Sequence, residues 1–103
     1  RYLCIDDILF LKADNNTTDF HMSDGTIIGA YKTLKTFEEC LPTNFLRIHK
    51  SYIINSNFIS RIHYGKSICT LSNNQHKLPF TKTFKYNIDI INDLYYKNVI
   101  TSN

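Results

Sequence analysis

Short apolar runs closed by polar turn residues dominate the chain, and few of them keep a helical period. Tyr2–Ile5 and Ile8–Lys12 are expected to form two short strands, with Asp6 and Asp7 supplying a turn or one-turn cap between them. Ala13-Asp14-Asn15-Asn16 follows as a polar, turn-rich loop. Thr18–Met22 and Thr26–Ile28 fit a hairpin, because Ser23-Asp24-Gly25 offers residues that tolerate positive φ, and Gly29 ends it. Leu46–His49 and Tyr52–Ile54 read as strand-like pieces interrupted by Lys50-Ser51, with a turn at Asn55-Ser56-Asn57. Phe58–His63 and Ser67–Leu71 form the clearest hairpin, joined by Tyr64-Gly65-Lys66. A turn at Asn73-Asn74 then leads into His76–Leu78 and completes a three-stranded meander.

Two segments carry helical spacing. Thr33 is placed to cap a short helix in which Leu34, Phe37 and Cys40 or Leu41 share one face, and Pro42 stops it. Later, Thr81 or Thr83 is placed to cap a helix whose apolar face is Phe84, Ile88, Ile91 and Leu94 or Tyr95, with a polar tail near Thr101-Ser102-Asn103. Many short strands with only two short helices define a mainly β domain. The late helix is not basic enough on one face to act as a recognition helix, which argues against a helix-turn-helix.

A chain of 103 residues, 43% of them hydrophobic, can bury one modest core, so a single domain over residues 1–103 is expected. No apolar stretch approaches the roughly 18 to 20 residues of a membrane span, and no basic-then-apolar leader opens the sequence at Arg1. Cys4, Cys40 and Cys69 lie far apart without the paired spacings of a zinc or redox site, so they are read as reduced, mostly buried thiols of a cytoplasmic protein. No metal site or cofactor is expected.

Charge changes the picture more than composition does. Between Leu41 and Lys85 lie Arg47, Lys50, Arg61, Lys66, Lys77, Lys82 and Lys85 without one acidic residue, giving +7. The rest of the chain holds five basic and nine acidic residues, or −4, which recovers the net +3. Such segregation builds an electropositive face suited to an anionic polymer. Enzyme chemistry lacks support: no nucleophile sits with a base, no carboxylates pair, and His21, His49, His63 and His76 are scattered.

The run Asn44-Phe45-Leu46-Arg47-Ile48-His49-Lys50-Ser51-Tyr52-Ile53-Ile54-Asn55 resembles the signature of the LytTR family of DNA-binding domains. Asp7-Ile8-Leu9-Phe10-Leu11-Lys12-Ala13-Asp14 resembles the family's opening strand, Thr33-Leu34-Lys35 its short helix, and Lys77-Leu78-Pro79-Phe80-Thr81-Lys82-Thr83-Phe84-Lys85 its closing strand-to-helix segment. These segments cover nearly the whole chain in the right order. The resemblance implies an elongated succession of small antiparallel sheets with loops on one side inserted into double-stranded DNA. It also implies the C-terminal output domain of a longer bacterial response regulator. Such a regulator would have an upstream receiver or sensor domain, a cognate histidine kinase and repeated DNA half-sites on which monomers pair.

Carried over residue by residue, the resemblance makes Lys50 and Lys82 contact candidates, each able to meet guanine or phosphate. The family often has arginine at the position of Lys82 and at the next, so the lysine loses a bidentate fork and Thr83 is uncharged. Thr81 offers a hydroxyl near a helix N-terminus. Asn16 and Thr17 match the first DNA-facing loop, although an Asn-rich turn is an equal reading and the aromatic residue common near Thr17 is absent. Arg47 is the foremost phosphate candidate among the residues that alternate along its strand, while His49 and Asn55 are read as structural; Lys77 and Lys85 add diffuse attraction. Two other classes remain for comparison. A small β domain could stack single-stranded bases, but Phe45, Tyr52, Phe58 and Phe80 sit amid aliphatics as core residues do. A protein-interaction module built on strand edges would not need an acid-free basic segment.

Overall fold

A computed structural model describes residues 3–72 and 74–101, with side chains described as far as Tyr95. Tyr2 of the first expected strand, Asn73 of the last turn, and the tail residues Ser102 and Asn103 lie outside the described residues. The described strands are β1 (Ile8–Asp14), β2 (Thr17–Met22), β3 (Ile27–Ala30), β4 (Phe45–His49), β5 (Tyr52–Asn55), β6 (Ile59–His63), β7 (Ile68–Leu71) and β8 (His76–Pro79). The helices are α1 (Leu34–Glu38) and α2 (Lys85–Thr101), with single 3-10 turns at Ile5–Asp7, Ser56–Phe58 and Lys82–Phe84.

All pairings are antiparallel. The first five strands merge into one sheet, ordered β3-β2-β1-β5-β4, and the last three form a meander, β6-β7-β8. The mainly β architecture with one short internal helix and a C-terminal helix is the expected one. Its extents of 39 × 29 × 24 Å make it longer in one direction.

Central strand β1 shows why the five-stranded sheet is covered on both faces. Ile8, Leu9, Phe10 and Leu11 are all buried, as a continuous apolar run requires. The pairing with β2 shifts between Ile8 and Phe10, and this bulge turns Leu9 and Phe10 to one side and Ile8 and Leu11 to the other. Leu9 and Phe10 join Ile48, Ile54, Cys69, Leu71, Leu78, Ile88 and Ile91 in a core between the sheets and α2. Ile8 and Leu11 join Phe20, Phe45, Ile53 and Leu34 of α1 in a second core.

Several expectations need correction or narrowing. The described part of the strand expected over Tyr2–Ile5 is not one: Leu3 and Cys4 have no regular structure and Ile5–Asp7 is a 3-10 turn, with Asp7 N–H donating to Cys4 O at 3.0 Å. With β2 and β5 on its two sides, β1 itself has no side left for this segment to pair with. The thiols are not mostly buried, because Cys4 and Cys40 are exposed and only Cys69 is enclosed. On α1 it is Leu41, not Cys40, that completes the apolar face with Leu34 and Phe37, leaving the Cys40 thiol to donate to Thr36 O at 3.4 Å. Lastly, neither Thr33 nor Thr81 makes a side-chain cap; Thr33 Oγ1 meets Thr36 Oγ1 at 3.3 Å instead.

Candidate nucleic-acid interface

Three turns meet at one end of the five-stranded sheet. Because β1 runs antiparallel to β5, its far end lies beside the start of β5, with Lys12 opposite Tyr52 and Ala13 N–H donating to Ser51 O at 2.9 Å. The β1–β2 turn and the β4–β5 turn therefore project from the same end. Two strand spacings separate their centres, about 10 Å. The third segment joins them through Thr81 N–H, which donates to Ile48 O at 3.0 Å.

In the first turn Asp14 pairs with Thr17, leaving Asn15 and Asn16 as the connection. Asn15 takes φ 55°, a left-handed conformation that asparagine tolerates better than most residues. The Thr17 hydroxyl donates to Asp14 O at 2.8 Å, so it fixes the turn while Asn16 points an exposed amide outward. Asn15, which sequence reasoning left aside, is equally exposed. Asp14 is exposed here too.

The second turn is held from several sides. A register shift between Arg47 and His49 precedes it, the kind of bulge that re-aims the next side chain. Ser51 N–H donates to His49 Nδ1 at 3.0 Å, the structural part expected of His49. Arg47 donates from Nε to His49 O at 2.9 Å, from Nη2 to Lys50 O, and from Nη1 to Glu38 Oε1 at 3.0 Å. Its guanidinium lies 5.7 Å from the centroid of Phe84, and its own carbonyl accepts from Asn87 Nδ2 of α2 at 2.7 Å. With only 16% of its side chain exposed, Arg47 braces the Lys50 turn and locks it to the start of α2. The Lys50 side chain is left exposed.

The third segment enters α2 through the 3-10 turn Lys82–Phe84, with Phe84 N–H donating to Thr81 O at 3.0 Å. Lys82 and Thr83 are exposed and Thr81 is half-buried. Lys85 does not join the edge. Its ammonium meets both Asp89 oxygens, at 3.2 and 3.1 Å, and lies 5.8 Å from the Tyr64 ring centroid. The acid-free segment thus regains two carboxylates in space, Glu38 at Arg47 and Asp89 at Lys85. Lys50, Arg61, Lys66, Lys77 and Lys82 form no ion pair among the described residues.

Sequence reasoning missed the bracing role of Arg47, which depends on Glu38 and Phe84 from elsewhere in the chain. It also missed Asn87, whose place in the helical period gives no sign of its bond to β4. Asn55 is the turn residue expected: fully buried, it donates to Ile8 O at 2.9 Å and accepts from Asn57 N–H at 3.0 Å and Asn44 Nδ2 at 2.8 Å.

Fold and edge define a small β domain with three turns gathered at one end of its larger sheet. Residues 1–90 match the model of the LytTr DNA-binding domain family. Among solved structures, a LytTr DNA-binding domain assigned to a methyl-accepting/DNA response regulator of Bacillus cereus has a TM-score of 0.76. It is 20% identical, over 86% of this chain and 84% of that one, a likeness of fold. Comparison with curated proteins gives no match. The chain belongs to the LytTr DNA-binding domain family.

Proposed function

We propose that the chain binds double-stranded DNA sequence-specifically and regulates transcription as the output domain of a bacterial response regulator. The convergence of the three turns on one edge carries this reading. Lys50 and Lys82 rise from braced turns with no carboxylate bound to them among the described residues, so each is available to a phosphate oxygen or to guanine O6 and N7. Asn16, and Asn15 beside it, offer amides with the paired donor and acceptor that adenine presents in the major groove. Thr81 and Thr17 contribute mainly by shaping their turns, Arg47 by holding the second and third turns in one register, and Lys85 by general attraction.

Phosphate contacts position the domain and the turn side chains read base edges. Two monomers side by side on repeated half-sites, driven together by an upstream receiver or sensor domain under a histidine kinase in the cytoplasm, complete the scheme. The edge favours a duplex over single strands, since Tyr52 is half-buried between Phe10 and His49 and Phe84 lies under Arg47, which leaves neither ring free to stack a base. No catalytic step and no cofactor enter this scheme.

Fluorescence anisotropy with a labelled duplex tests the reading. Lys50→Ala and Lys82→Ala are each expected to weaken binding by about 1–3 kcal/mol where a base is contacted, and excess single-stranded DNA to compete poorly. Unchanged affinity in both variants would remove the edge from consideration.

A further inference from the structure

A second cationic surface lies on the outer face of the meander, away from the three turns. The register sets Arg61 of β6, Thr70 of β7 and Lys77 of β8 side by side, with Arg61 and Lys77 two strand spacings apart, about 10 Å. His63 stands two residues beyond Arg61 on the same face, and Lys66 and Asn74 approach from the adjoining turns. Together they line a shallow groove of about 260 Å³. Arg61, Lys66 and Lys77 are exposed and form no ion pair among the described residues. Their combined field is felt by His63, whose imidazole is held below its usual pKa by Arg61 first, then by burial, Lys66 and Lys77.

Backbone links this face to the edge. Phe80 N–H donates to Ser67 O at 2.9 Å, so the Lys66 turn lies beside the strand that leads directly into Thr81 and Lys82. Only Phe80 and Thr81 separate the end of β8 from Lys82 along the chain.

We propose that the outer face of β6-β7-β8 binds the phosphate backbone of duplex DNA flanking the bases read by the turns. The inference rests on the reading of the edge as the base-contacting surface. Several unpaired cations spread over a sheet, without a carboxylate, suit a line of phosphates and the counterion release it allows. An acidic protein would be expected to seek an aromatic or aliphatic anchor as well. None is offered here: Ile68 is half-buried, and Tyr64 turns instead towards Phe80 and Asp89. Contact along this face would extend the footprint beyond the turns and add to the salt dependence without adding sequence preference.

The test uses a duplex selected by the wild-type chain from a random pool, in a form trimmed to the selected bases and a form extended by about one helical turn on each side. For wild type, extension is expected to tighten binding and steepen the dependence of log K on log salt. The double variant Arg61→Gln/Lys77→Gln is expected to lose less than about threefold on the trimmed duplex through weaker general attraction, to gain little from extension, and to show a slope lower by about 2 on the extended form. Lys66→Gln, in a turn, gives an independent reading with a slope lower by about 1. Full retention of the extension gain and the slope by these variants would overturn the proposal. So would weaker binding of poly-glutamate with duplex binding intact, which would assign the face to an acidic protein. Failure of the underlying reading looks different: Lys50→Ala and Lys82→Ala would then leave binding of the trimmed duplex unchanged.

Discussion

Replacing Arg47 by Met separates a brace from a phosphate contact. The variant keeps an apolar stem near Phe84 but removes hydrogen bonds to the carbonyls of His49 and Lys50, the pair with Glu38 and the guanidinium 5.7 Å from the Phe84 centroid. Glu38 is 40% exposed, so the ion pair contributes well under about 1 kcal/mol. The part-buried bond to the His49 carbonyl contributes about 1–2 kcal/mol net, the exposed bond to the Lys50 carbonyl about 0.5–1 kcal/mol, and the ring contact about 0.5–1 kcal/mol. With incomplete additivity the loss is about 2–4 kcal/mol, which for a domain of this size lowers Tm by at least about 8 °C. Thermal melts followed by circular dichroism would measure it, alongside anisotropy over a range of salt. A brace lowers Tm and weakens binding through the loosened Lys50 turn while the salt slope stays that of wild type. A Tm within about 2 °C of wild type together with a slope lower by about 1 would refute the reasoning and make Arg47 a phosphate ligand.

Other outcomes follow from the same geometry. Asn55→Ala leaves the Ile8 carbonyl, the Asn57 N–H and the Asn44 amide without their partner, and is expected to cost about 2–4 kcal/mol in urea unfolding. Burial pushes the Cys69 thiol up to about 12, so a thiol reagent at neutral pH should label Cys4 and Cys40 rapidly and Cys69 only on unfolding. Since the folded state holds that proton while an unfolded thiol releases it near pH 8.5, stability should fall as pH rises from about 9 towards 12, and Cys69→Ala should flatten that limb. His21, stacked on Phe10 at 4.2 Å, is held below its usual pKa by burial. The neutral ring is favoured in the fold, so its contribution is present above about pH 6.5 and lost as pH drops through the lowered value; a flat acid limb in wild type would contradict this.

Strands and turns were legible where local chemistry decides them. The Ser23-Asp24-Gly25 and Tyr64-Gly65-Lys66 connections appear as hairpins in the structure, because their residues fit tight turns whatever surrounds them. The apolar run ending at Ile5 misled, since its composition does not reveal that the chain closes there into a 3-10 turn with Asp6 and Asp7. The Lys50 turn was visible from the motif around it, but its support was not. Arg47 reaches Glu38, nine positions earlier, and Phe84 from the start of the last helix, and such contacts exist only once the sheets are packed. Likewise the basic segment could be counted in the sequence, whereas the grouping of Arg61 with Lys77 depends on strand register across β7.

Selection of bound duplexes from a random pool by the wild-type chain bears most directly on the central claim. Specific readout by turns at one edge should enrich a short motif, recovered in repeated copies as paired binding requires, and the enrichment should be lost with Lys50→Ala and Lys82→Ala together. A pool that remains random after successive rounds, while binding stays strong at low salt, would contradict specific recognition and leave general attraction to phosphate.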